Sequence, residues 1–227
     1  MKEKEKKEAQ KRVKSFIEEK LETEGIENLS KVLEEAKNLY FDLIKPYVKD
    51  VEQSWKPFKG NIIEDIILKA IEKSIENVGF KVIKGSKLEK SNKLTKCLSK
   101  LKRLLCINYG EFGLHMPDCD LIIYTKDCKP LAIISSKATL RERVTQTAYW
   151  SIKLKMDKIT KDIKILFITL DEDGDLAIKK PAKKGRAIAE IDIDRTYVIG
   201  KDNLEESEKV KKFESFHEDL KRLFKGV

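Results

Sequence analysis

Apolar residues recur along this chain at two spacings, and the change between them organises it. From Lys2 to Glu22 almost every position is charged, and Val13, Phe16, Ile17 and Leu21 leave a narrow apolar stripe at helical spacing. Gly25 interrupts it. A second helix is predicted from about Asn28 towards Val51, burying Leu29, Val32, Leu33, Ala36, Leu39, Tyr40 and Leu43, with Pro46 ending or kinking it. Trp55 to Gly60 reads as a linker. Asn61 to Asn77 then forms a strongly apolar helix carrying Ile62, Ile63, Ile66, Ile67, Ala70, Ile71 and Ile75.

From Phe80 the apolar runs shorten. Phe80 to Ile83 begins a strand, and a lysine-rich polar stretch runs from Gly85 to Lys102. Leu121 to Tyr124 and Leu131 to Ser136 are apolar runs separated by a turn from Thr125 to Pro130, the pattern of a hairpin. A helix is predicted from about Thr139 to Met156, with Leu140, Val144, Ala148 and Ile152 buried at i,i+4 spacing. Ile163 to Leu170 and Ile188 to Ile199 read as strands, and Leu204 to Phe224 as a closing amphipathic helix. Helices and strands around one core describe an α/β fold. The expected layout is an N-terminal helical arm over residues 1–57 and a core over residues 58–227, a mixed β-sheet flanked by helices.

Charge narrows the partners. Lys and Arg number 48 against 39 Asp and Glu, so the formal charge is +9, a basic surplus that suits a polyanion such as DNA. Cys97, Cys106, Cys119 and Cys128 form no CxxC pair, and the two histidines, His115 and His217, do not complete a zinc site. No apolar segment follows the opening lysines, so neither a signal peptide nor a spanning helix is expected. The expectation is a cytoplasmic protein, with no membrane contact and reduced thiols. The acids from Asp171 to Asp175 read as a turn because the glycine is misplaced for a calcium loop. The basic run from Lys179 to Arg186 is either a solvated charge run or a phosphate contact.

Two short motifs bracket the hairpin. Pro117-Asp118 opens its first strand, and Ser135-Ser136-Lys137 closes its second. Side chains alternate across a strand, so Ser135 and Lys137 share a face, and an acid on the neighbouring strand can stand beside the lysine. Asp120 shares a face with Asp118 and is an alternative to it. This arrangement resembles the PD-(D/E)xK nuclease superfamily, with serine where the pattern has an acid. Arg141-Glu142-Arg143, just past the lysine, narrows the resemblance to type II restriction endonucleases that read CCGG or split CC/GG sites, BsaWI-like enzymes in particular.

The resemblance implies Mg²⁺-dependent hydrolysis of phosphodiester bonds in double-stranded DNA. It implies Asp118 and Glu64 as metal ligands, with Ser135 and Lys137 completing the catalytic set and the Ser136 carbonyl as a third ligand. Glu64 also stands three residues after Asn61, the spacing of a capping box, and both readings stay open. Some CCGG enzymes carry an acid on the helix after the lysine, where this chain has Trp150. Arg141, Glu142 and Arg143 hold the donors and acceptor to read adjacent G·C pairs, and Gln146 stands one turn beyond Glu142. Cutting both strands of a palindrome implies a homodimer, and protecting host DNA implies a companion methyltransferase acting on the same site. A structure-selective nuclease such as a junction resolvase and a non-catalytic DNA-binding module are the competing readings.

Overall fold

The computed structural model describes residues 2–91 and 93–225, with Arg141 described by its backbone alone. The chain divides into two compact units, residues 1–66 and 67–227. Among the described residues no helix is long and apolar enough to cross a membrane.

The first unit holds α1 (Lys2–Glu24), α2 (Leu29–Ile44) and the first part of α3 (Val51–Asn77). Ala9, Val13 and Ile17 are the buried positions of α1, while α2 buries a broader face of Leu29, Val32, Leu33, Ala36, Tyr40 and Ile44. Pro46 falls just past α2 and closes it with one turn of 3-10 helix. The expected linker at 55–60 is absent, because α3 runs unbroken through Pro57. A proline there forgoes one backbone hydrogen bond. Packing offsets it: Trp55 and Phe58 close on Tyr40, with ring centroids 5.1 and 4.7 Å away, and the Tyr40 hydroxyl lies 2.6 Å from Ser54 Oγ. Asn61 is therefore interior helix, and the capping-box role of Glu64 does not arise.

The second unit is built on a six-stranded mixed sheet: β1 (Lys81–Lys84), β4 (Leu121–Tyr124), β5 (Pro130–Lys137), β6 (Lys164–Thr169), β7 (Arg195–Val198) and β8 (Val210–Lys212), side by side in that order. A separate two-stranded ribbon pairs β2 (Ile107–Asn108) with β3 (Leu114–His115). The longest strand, β5, runs antiparallel to β4 and parallel to β6. Short helices α4 (Gly85–Lys90) and α5 (Lys96–Leu105) fill the lysine-rich stretch, and α6 (Arg141–Met156) crosses from β5 to β6. Leu140, Val144 and Leu154 join Ile122, Ile133, Ile165 and Phe167 in one apolar core.

Three expected elements differ. Ile152 on α6 is 50% exposed. Each i,i+4 step advances about 400°, so three steps from Leu140 drift about 120° off the buried face. Leu154 is buried instead. The expected strand from Ile188 splits into α7 (Lys184–Asp192) followed by β7. The closing helix shortens to α8 (Phe216–Leu223), because Val210 to Lys212 pairs with β7 and satisfies its backbone in the sheet. At the basic run, Arg186 is fully buried and donates to Glu190 and to the carbonyls of Leu176 and Glu205, so its charge ties loops together and faces no phosphate.

The cysteines also depart from expectation. Cys97 on α5 and Cys128 in the β4–β5 turn form a disulfide, with Cα atoms 5.5 Å apart, while Cys106 and Cys119 remain thiols. Cys128 holds a φ of 64°, a left-handed conformation that side chains rarely adopt, and the turn it closes brings its sulfur to the helix. Gly85 lies against the carbonyl of Cys119 so closely that a Cβ would collide with it.

Two stability outcomes follow from these contacts. Reducing the disulfide opens a loop of 31 residues and lowers unfolding free energy by about 4 kcal/mol in the chain-entropy model, read from urea melts with and without reductant. Unchanged melts would mean that the thiols are unpaired in solution. Gly85→Ala costs about 2 kcal/mol through overpacking, and a cost below about 0.5 kcal/mol would show that the β1 end yields easily.

Candidate active site

The candidate centre forms where β4 begins and β5 ends. Asp120 stands one residue before β4, and its backbone extends the ladder: its N–H donates to the Ile134 carbonyl at 2.9 Å, and its carbonyl accepts from Gly85 N–H at 2.8 Å. Leu121 pairs with Ile134, so Asp120 falls opposite Ser135. Paired residues share a face, as do alternate residues along a strand. Asp120, Ser135 and Lys137 therefore emerge on one side of the sheet.

Lys137 Nζ donates to both oxygens of Asp120, each at 3.0 Å. Ser136 N–H donates to Asp120 Oδ2 at 2.6 Å, and the Ser136 hydroxyl lies 3.3 Å from the same oxygen. The aspartate side chain is 17% exposed and the lysine 30%. Oδ2 takes most of these donors, whereas Oδ1 receives Lys137 alone and keeps lone-pair capacity. The pair borders a small cleft that Asp118, Ser135, Arg143 and Gln146 also line.

Asp118, the acid of the Pro-Asp motif, stands away from the lysine. Its Oδ2 accepts from Gln146 Nε2 at 2.8 Å, and Gln146 Oε1 accepts from Arg143 NH1 at 2.7 Å. Arg143 NH1 is also 3.8 Å from Asp118 Oδ2. Arg143 and Gln146 sit three residues apart on α6, where side chains are neighbours.

The start of α6 is fixed by the acidic turn after β6. The Lys137 carbonyl accepts from Leu170 N–H at 3.3 Å and the Ala138 carbonyl from Glu172 N–H at 3.0 Å. Asp173 Oδ1 accepts from Leu140 N–H at 3.3 Å, supplying a carboxylate where leucine has no capping group, at the helix end that favours negative charge. Asp171 organises the turn from inside, accepting from the N–H groups of Asp175 at 2.8 Å and Leu176 at 3.0 Å. Burial pushes its carboxyl above the usual carboxylate range, against the pull of those two donors. No local sequence signal marked Asp173, because its partner lies 33 residues earlier.

Of the residues expected to act, the fold gathers Asp118, Ser135, Lys137, Arg143 and Gln146 around one cleft and adds Asp120 as the lysine's partner. Glu142 is exposed on the first turn of α6. The Arg141 side chain lies outside the described residues. Glu64 is half-buried on α3 within the first unit. Trp150 lines a different groove with Tyr109, Phe112, His115 and Met116. Among the described residues no three His, Cys, Asp or Glu side chains converge as a metal cage. The oxygens of Asp120 and Ser135 fit a hard cation that keeps most of its waters, such as Mg²⁺, better than an ion needing a closed protein cage.

The family model described as "BsaWI restriction endonuclease type 2" matches residues 97–219. "Putative type II restriction enzyme MjaVIP" of Methanocaldococcus jannaschii is 36% identical over 219 residues, covering 89% of this chain and 96% of its own. "Probable type II restriction enzyme HpyAORF263P" of Helicobacter pylori is 36% identical over 100 residues, 44% of this chain and 51% of that protein. Among solved structures, the PspGI restriction endonuclease in complex with substrate DNA aligns with a TM-score of 0.49 at 18% identity, over 91% of this chain and 78% of that one. The family match spans more than half of the sequence and the M. jannaschii relative nearly all of it, so the chain belongs to the BsaWI-type family of type II restriction endonucleases, which are deoxyribonucleases.

Proposed function

We propose that this chain is a Mg²⁺-dependent endonuclease that cuts both strands of duplex DNA at a short palindrome containing CCGG or its split CC/GG form. The observation that carries the reading is the Asp120–Lys137 pair, 3.0 Å apart, opening into the cleft that Arg143 and Gln146 share. One side of that cleft suits phosphate chemistry, and the other offers donors suited to base edges.

Asp120 takes the first-ligand role expected of Asp118, with the Ser136 carbonyl as a further oxygen. Mg²⁺ held there supplies charge neutralisation at the scissile phosphate and a water more readily deprotonated. Lys137 orients that water and offsets charge on the phosphate, while its contact with Asp120 keeps the ammonium at the cleft. Ser135 replaces the usual second acid of the motif, so it contributes an oxygen without a second negative charge beside Asp120.

Arg141, Glu142 and Arg143, at the end of α6 braced by Asp173, read adjacent G·C pairs in the major groove. Gln146 contributes a further contact. One such centre per chain and two strands to cut call for a two-fold homodimer on a palindrome. The substrate and the need for a companion methyltransferase put the work in the cytoplasm.

Digestion of sequenced phage DNA in Mg²⁺, with sequencing of the fragment ends, gives ends that share a CCGG-type centre. Ends without a common sequence would remove the specificity. Asp120→Asn lowers the cleavage rate by about a thousandfold and Lys137→Ala by a similar factor, both measured on supercoiled plasmid. Cleavage by Asp120→Asn within tenfold of the wild type would sink the ligand assignment.

A further inference from the structure

The Pro-Asp acid is joined to the reading helix and not to the lysine, and that wiring has a meaning of its own. We infer that Asp118 is a positioning residue for sequence reading, holding Gln146 and through it Arg143 in the orientation that meets the DNA bases. The inference rests on the proposed roles of Arg143 and Gln146 as DNA contacts.

The geometry is a chain of three side chains. Asp118 Oδ2 takes the Gln146 amide N–H at 2.8 Å, which fixes the amide so that its oxygen faces Arg143. That oxygen then takes one N–H of Arg143 NH1 at 2.7 Å. A guanidinium has five N–H donors, so four remain, enough for a two-pronged contact with guanine O6 and N7. Without Asp118 the Gln146 amide is free to rotate, and the arginine loses its fixed partner. The Asp118 side chain is 60% exposed, so its interactions with Gln146 and Arg143 are open to displacement by DNA and its replacement leaves no buried cavity.

The test measures kcat and KM on a short duplex carrying the site found from fragment ends, and on duplexes with one base pair changed. Asp118→Ala raises KM for the correct site about tenfold, with kcat changed far less, and narrows the preference over altered sites about tenfold, the scale of a lost charge-assisted hydrogen bond. Asp118→Asn, which keeps an oxygen for the Gln146 amide, recovers most of both. In a Gln146→Ala background, Asp118→Ala adds less than about twofold, because the path is already broken. A fall in kcat of about a thousandfold at unchanged KM, equal in both backgrounds, would make Asp118 a metal ligand and overturn the inference. A lowered KM in Asp118→Ala would also overturn it, because the contact would then be a restraint. A wild type that cuts but shows no base preference, or cuts nothing, overturns the reading roles of Arg143 and Gln146 and this inference with them.

Discussion

Three hydrogen-bond donors from the end of β5 meet one carboxylate at the start of β4, and the centre depends on that meeting. Lys137 alone is a flexible ammonium on a long stem, costly in rotamer freedom to hold still. Bonding both oxygens of Asp120 fixes it, while the backbone N–H of Ser136 fixes the aspartate in turn. The sheet makes this possible without strain. β4 and β5 are antiparallel and adjacent, so the acid and the lysine need only sit on one face near one end. Gly85, touching the Cys119 carbonyl, lets the neighbouring chain approach closely enough to take the Asp120 carbonyl into a hydrogen bond.

Helix α6, which carries the proposed base contacts, inherits its position from the same strand. Only Ala138, Thr139 and Leu140 separate Lys137 from α6, and the turn after β6 grips that short segment at Lys137, Ala138 and Leu140. A carboxylate at the helix start is favoured by the macrodipole, so Asp173 stabilises the end of α6 that carries Glu142 and Arg143. Lys137 and Arg143 are therefore mounted on one continuous piece of backbone, clamped from a single turn.

Much of this was legible in the sequence, and the omissions have physical causes. The hairpin, the lysine strand and α6 were readable because short-range periodicity determines them. The Pro-Asp pair pointed to Asp118, yet strand pairing gives Lys137 to Asp120, because register is set by partners on another strand and local spelling does not encode it. The residues from Trp55 to Gly60 looked like a linker because proline and glycine punctuate them, whereas aromatic packing on Tyr40 carries the helix through. The Cys97–Cys128 pair and the Asp173 cap join residues about thirty apart, beyond the reach of any spacing rule. β8 was read as helix because a three-residue edge strand leaves no periodicity to detect.

The alternation that hides the register also protects the fold from it. Asp118 and Asp120 differ by one full pleat, so a slip of two residues in the hairpin would present the other acid to Lys137 while every core side chain stayed on its own face. A slip of one would carry Asp120 to the face opposite Lys137. The register shift between Ile123 and Tyr124 and the disulfide at the turn anchor the end of the hairpin opposite the acids. The length of the Thr125–Lys129 turn thus acts as a ruler: shortening it by a pair of residues, with its shape kept, would set Asp118 opposite Ser135 in the place that Asp120 now holds, without changing either aspartate.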